Sequence, residues 1–249
     1  MRTLVCVLML CLAGPVMAQS SLGVTGAAFS LGAVEDEDGT YRGDARASVD
    51  VAITDYHGFQ GDLAYTDSAS GGIGTVATHL YMTPQPGQKY GLFAALSDVD
   101  GRSLIYGSVG AEGMFSLGAQ TSIEGRAGMG WADSDGLDYI FGSASIAHAV
   151  TPSLELELAL DVTEIDEAAL SAVSIDAGLT ARFNPDGAPL GGYVSVTQCG
   201  LTGRDAGTTA TRLGIPLLLT LGTSGGTDPH TRPFRTMDPI APLVRRGLW

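Results

Sequence analysis

Between residues 41 and 54 the chain sorts its side chains by parity. The odd positions read Tyr41, Gly43, Ala45, Ala47, Val49, Val51 and Ile53, and the even ones Arg42, Asp44, Arg46, Ser48, Asp50, Ala52 and Thr54. A helix would mix the two sets on every face, whereas a strand puts one set on each side. The same separation recurs over 115–131. It recurs again where Leu154, Leu156, Leu158, Leu160 and Val162 alternate with Glu155, Glu157 and Asp161, and once more around residue 180. No run after the first eighteen residues approaches the roughly 20 apolar residues of a membrane helix. The chain is therefore read as all-β.

Turn signals punctuate the strands. Asp-Gly stands at 38–39, 100–101, 135–136 and 186–187, a strong hairpin signal. Together with the other Gly- and Pro-bearing turns they leave about twelve strands, ten to twelve allowing for boundary error. One turn is placed at Gly113-Met114, between strands near 103–113 and 115–132. Taken alternately, the turns fall into two kinds. One kind is acidic and rich in Gly and Ser, as at 35–39, 98–101 and 133–136. The other is tighter or carries proline, as at 56–58, 84–87 and 184–189. Tyr41, Tyr65, Trp131 and Tyr139 are assigned to the apolar parity beside the acidic turns. Phe59, Tyr90, Phe115, Phe183 and Tyr193 are assigned to it beside the others. Two aromatic bands flanking small and aliphatic residues match an apolar belt about 25 Å tall, whereas a soluble sandwich would hold its aromatics mid-strand.

The first eighteen residues read as an export leader. Arg2 is the positive start, 4–13 the apolar stretch, and Val16-Met17-Ala18 a small-residue cleavage site. Cys6 and Cys11 belong to it, so Cys199 is left as the only thiol and no internal disulfide can form. Residues 19–224 then form the barrel unit, with eight basic against 25 acidic groups, and 225–249 a tail with four Arg against two Asp. This acidic excess excludes a phosphate-backbone binder, so no nucleic acid is expected.

With signal, alternation, girdles and two-sided turns, the chain resembles the outer-membrane β-barrel proteins of Gram-negative bacteria. One local match is sharper. Arg212-Leu-Gly214-Ile-Pro-Leu217-Leu-Leu219 is similar to the assembly signal on the last strand of such proteins, although Pro216 removes a ladder hydrogen bond from it. The resemblance implies a single antiparallel up-and-down transmembrane barrel. Its outside would meet outer-membrane lipid and lipopolysaccharide, its assembly would use the barrel-assembly machinery, and both termini would be periplasmic.

The polar parity then lines the lumen. It collects Arg42, Arg46, Asp50, Asp62, His79, Glu124, Arg126, Glu155, Glu157, Asp176, Arg182 and Arg212, with Asp44, Glu112 and Asp161 beside them. Carboxylate rings favour cations in an open pore, while Arg–carboxylate pairs would pack a narrow barrel shut, and both readings stay open. The tail carries Arg232, Arg235, Arg245 and Arg246, and Pro229, Pro233, Pro239 and Pro242 keep it from strand or long helix. Either it enters the acidic lumen as a plug, or it is a mobile periplasmic extension.

Catalytic motifs such as GxSxG, HExxH or a phosphate loop are missing. His79, inward-facing, is the one histidine an enzyme of this kind could use. The acidic turns lack calcium-loop spacing. Neither cofactor nor metal is expected. The function expected is a porin-like channel or structural envelope barrel without catalysis. The alternatives are a barrel enzyme acting on envelope lipid and a soluble secreted β-protein that binds a surface ligand.

Overall fold

The computed structural model describes residues 23–35, 39–133, 137–167, 170–184, 189–205, 210–222 and 226–246. The expected leader, 1–18, lies outside them. Twelve strands run in order: β1 (Val24–Glu35), β2 (Tyr41–Ala52), β3 (His57–Thr66), β4 (Ile73–Met82), β5 (Gln88–Val99) and β6 (Ile105–Ser116). They continue as β7 (Thr121–Ala132), β8 (Asp138–Thr151), β9 (Leu154–Asp166), β10 (Ser171–Phe183), β11 (Leu190–Thr202) and β12 (Ala210–Gly222). Each pairs antiparallel with its neighbours in sequence, and β1 pairs with β12 to close the barrel. Closure removes the unpaired edges that an open sheet would present. No helix among the described residues is long and apolar enough to cross a membrane.

Burial is inverted relative to a soluble protein. Leu92, Leu217 and Met129 are more than 60% exposed, while Gln60, Asp62, His79 and Lys89 are at most 2% exposed. Apolar surface on this scale needs a partner, and a lipid bilayer satisfies it all round. Tyr41, Tyr65 and Trp131 stand outward near the acidic turns, and Tyr56, Phe59 and Phe183 outward at the opposite rim.

Three expectations are corrected. Gly113 and Met114 are not a turn. Gly113 pairs with both Tyr90 and Gly125 inside the ladder, and the reversal falls at 117–120, where Gly118 takes a positive φ of 148°. Tyr139 faces inward, with its hydroxyl donating to the Gly107 carbonyl. Tyr193 faces inward too, its ring 5.9 Å from the Arg182 guanidinium. Neither belongs to an outer girdle.

Pro216 is accommodated where β12 meets β1. The β11–β12 pairing breaks between Gly192–Leu217 and Ser195–Gly214, while Gly32 sits opposite Pro216 without interruption. A Cβ on Gly32 would lie 2.2 Å from the Pro216 Cα, so the closing seam requires glycine there.

Candidate functional site

From residue 226 the described chain lies inside the barrel. Arg232 sets its guanidinium between Glu155 and Glu157, near the start of β9, 2.8 Å from the Glu155 carboxylate and also bonded to Glu157. Arg182, from the β10 wall, reaches the same two carboxylates at 2.9 and 2.7 Å. Two guanidinium groups thus each span the same two carboxylates, Arg232 from the buried side and Arg182 from the cavity side, in charge-assisted hydrogen bonds. Arg235 lies deeper, 3.1 Å from Asp161. Thr236 donates to Asp62, and the Pro239 carbonyl accepts from Thr163 at 2.8 Å.

The described part of the tail reaches the acidic-turn mouth in the short helix α1 (Ala241–Arg245). Asp238 anchors its start, one carboxylate oxygen accepting from the Ala241 N–H and the other from the Tyr106 hydroxyl. Ile240, Leu243 and Val244 are fully buried against Val99, Leu104, Tyr106, Tyr139 and Ile165. The Arg245 carbonyl accepts from Ser70, and the Arg246 guanidinium donates to the Cys199 carbonyl. The described tail therefore crosses the lumen from end to end. The free ends of β1 and β12 share one rim, and Arg246 stands at the other.

Between these anchors Phe234 fills a slot of its own. Its ring stacks on His79 with centroids 5.8 Å apart and meets the edge of Tyr81 at 6.2 Å. The Lys89 ammonium lies 4.7 Å from the same ring, 4.0 Å from the Tyr81 ring and 3.7 Å from Asp50. Asp50 also accepts from the Tyr81 hydroxyl. Glycines opposite the inward aromatics make the room. Gly58 pairs with Tyr81 and Gly130 with Tyr139, and a Cβ there would strike the facing ring at 2.2 and 2.1 Å. Each ring lies over its glycine instead of projecting inward, which leaves the axis to the tail.

His79 bridges two buried carboxylates, Nε2 at 3.0 Å from Asp62 and Nδ1 at 2.7 Å from Glu112. Arg126 closes the chain, 2.7 Å from Glu112 and 3.6 Å from Glu124. Both ring nitrogens are engaged and Phe234 covers one face, so the ring is placed to hold strands together. His79→Gln keeps one of the two bonds and strands one carboxylate oxygen, a cost of about 1–3 kcal/mol. The expected result is a lower midpoint for loss of heat-modifiable gel migration. An unchanged midpoint would show the bridge to be idle.

Of the other residues expected in the lumen, Arg46 pairs with Asp44 at 3.2 Å. Arg46, Asp176, Arg182, Arg212 and Arg245 line a cavity of about 410 Å³ between the tail and the β10–β12 and β1–β2 wall. Arg42 stands half-buried at the start of β2. The tail thus packs on the β3–β9 side and leaves space on the other. Sequence reasoning missed Gln60, Lys89, Tyr81 and Phe234. Parity could have placed Gln60 and Tyr81, since each lies two residues from a lumenal position on its own strand, Asp62 and His79.

No protein-family model and no curated protein matches the sequence. Solved structures do match the fold. The NanC porin aligns with a TM-score of 0.61 at 6% identity, over 78% of this chain and 100% of that one. An outer membrane channel from Pseudomonas putida F1 aligns with 0.55 at 13% identity, over 84% and 98%. The KdgM porin, in complex with disordered oligogalacturonate, aligns with 0.54 at 10% identity, over 78% and 98%. The chain has the fold of the outer-membrane porin-like barrels.

Proposed function

We propose that the chain is a small, non-catalytic, porin-like channel of a bacterial outer membrane, with a conductance set by its own C-terminal tail. The observation that carries this reading is the cavity of about 410 Å³ left beside a tail that is anchored by ion pairs and hydrogen bonds along the lumen and by an apolar cap at the far mouth. The likeness of the fold to solved porins supports the class. In this reading the acidic turns face outward and the free ends of β1 and β12 are periplasmic. The apolar outer face meets lipid and lipopolysaccharide after insertion by the barrel-assembly machinery, and a leader over 1–18 sends the chain there.

A protease site placed at 223–225 and cut after folding tests the proposal. Single-channel conductance in a planar bilayer is expected to rise after cutting, with larger current noise as the cut tail comes and goes. Equal conductance and equal noise before and after would leave a structural barrel instead.

A further inference from the structure

The tail is held by more than charge. Gln60 reads both main-chain groups of Phe234, accepting from its N–H at 2.8 Å and donating to its carbonyl at 3.0 Å. The Arg232 carbonyl accepts from Lys89 at 3.0 Å, and the Arg235 carbonyl from Arg126 at 2.6 Å. Glu124 takes the Arg235 N–H at 3.2 Å. These wall side chains are all buried, Gln60 and Lys89 completely.

A plug evolved only to fill space would be satisfied by side-chain packing. Main-chain groups are common to every peptide, and buried polar groups aimed at them lose their partners when no peptide is present. The wall of β3–β9 is in this sense a peptide groove, with the side-chain selectivity added around it. Glu155, Glu157 and Asp161 select guanidinium groups on either side of a slot that takes an aromatic ring. An acidic peptide would bring carboxylates against these three.

We propose that this wall is a binding site for extended peptides, and that the class it takes in trans carries two arginines flanking an aromatic residue, as Arg232, Phe234 and Arg235 do. The tail is then the resident ligand of the groove, and an incoming cationic peptide displaces it. This rests on the reading of the tail as a removable occupant, but it is tested by binding and not by current.

The full chain carrying the cut site at 223–225 is folded, cut, and washed in high salt to remove the tail. Fluorescence anisotropy then follows three labelled peptides. One copies 226–246, one copies it with R232E and R235E, and one places Arg, a spacer, Phe and Arg on unrelated neutral flanks. The first and third are expected to bind in the micromolar range, and the second at least about tenfold more weakly. Q60A in the same cut chain is expected to weaken the first and third by roughly tenfold. Should cutting impair the barrel, the uncut R232A/R235A chain, checked by heat-modifiable migration, serves in its place. Equal binding of the acidic copy, failure of the unrelated Arg-bearing peptide, or a cut tail that neither high salt nor excess peptide removes would overturn the proposal. Conductance measured in parallel reports separately on the channel, so peptide binding with no change in current would sink the channel and leave the groove standing.

Discussion

Arg232→Glu is expected to drive the tail from the lumen and give a larger, more cation-selective current. The substitution puts a third carboxylate between Glu155 and Glu157, where Arg232 now makes contacts to both. Arg182, with Arg235 shared between Glu157 and Asp161, cannot balance the added negative group. Breaking a buried pair costs about 3–5 kcal/mol, and like-charge repulsion adds to it, so the equilibrium between lodged and withdrawn tail moves by roughly two to nearly four orders of magnitude. Withdrawal also takes the other tail arginines with it and leaves Asp62, Glu124, Glu155, Glu157 and Asp161 facing water. Cation selectivity follows from that balance. Single-channel conductance and the reversal potential in a salt gradient read both effects. Arg232→Lys keeps the charge but loses the fork that spans two carboxylates, so its current should fall between the two. A conductance identical to that of the parent chain in the glutamate variant would mean that the ion pair does not hold the tail.

How far such a site can be read from sequence depends on what the inside of the barrel is filled with. Where the lumen is lined by ion pairs, parity is unambiguous, and Asp44, Asp50, Glu124, Arg126, Glu155 and Glu157 alternate against leucine, valine and alanine. In the upper half of β8 it fails, because Tyr139 and Phe141 face α1 while Ile140 faces outward. Both faces are apolar there, one for lipid and one for the tail, and alternation carries no sign. The turn at 113–114 was misplaced for a related reason, since glycine marks both reversals and close packing. Here Gly113 makes room for the outward rings of Tyr90 and Phe115, which meet edge to face at 5.2 Å. The prolines of the tail forbid a strand and a long helix. They do not forbid an extended segment hydrogen-bonded to a wall distant in sequence, and Gln60 with Phe234 is such a contact, 174 residues apart. Local propensity holds no information about a partner so far away along the chain.

Leu243→Asp is expected to free the other end of the tail while the Arg232 anchor remains. Leu243 is completely buried, in a cluster with Val99, Tyr106, Tyr139 and Ile165. A carboxylate there has no partner, and the effective penalty for burying an unpaired ion is several kcal/mol. α1 has only five residues, too few to hold helical shape by itself, so it is expected to leave the wall and unwind. The twelve-strand ladder does not depend on it, and heat-modifiable migration should persist. The change is read by trypsin, which cuts after arginine. Arg245 and Arg246 are half-buried in the parent chain and should resist, whereas in the variant both become cleavable within the first minutes. The side from which they are cut orients the barrel, because α1 stands at the acidic-turn mouth beside Ser70. Cleavage in intact cells would put that mouth outside, as proposed. Cleavage only after the cells are opened would invert the barrel in the membrane. Protection in both would show that the apolar cap is not what retains the tail, and would transfer that role to the ion pairs of Arg232 and Arg235.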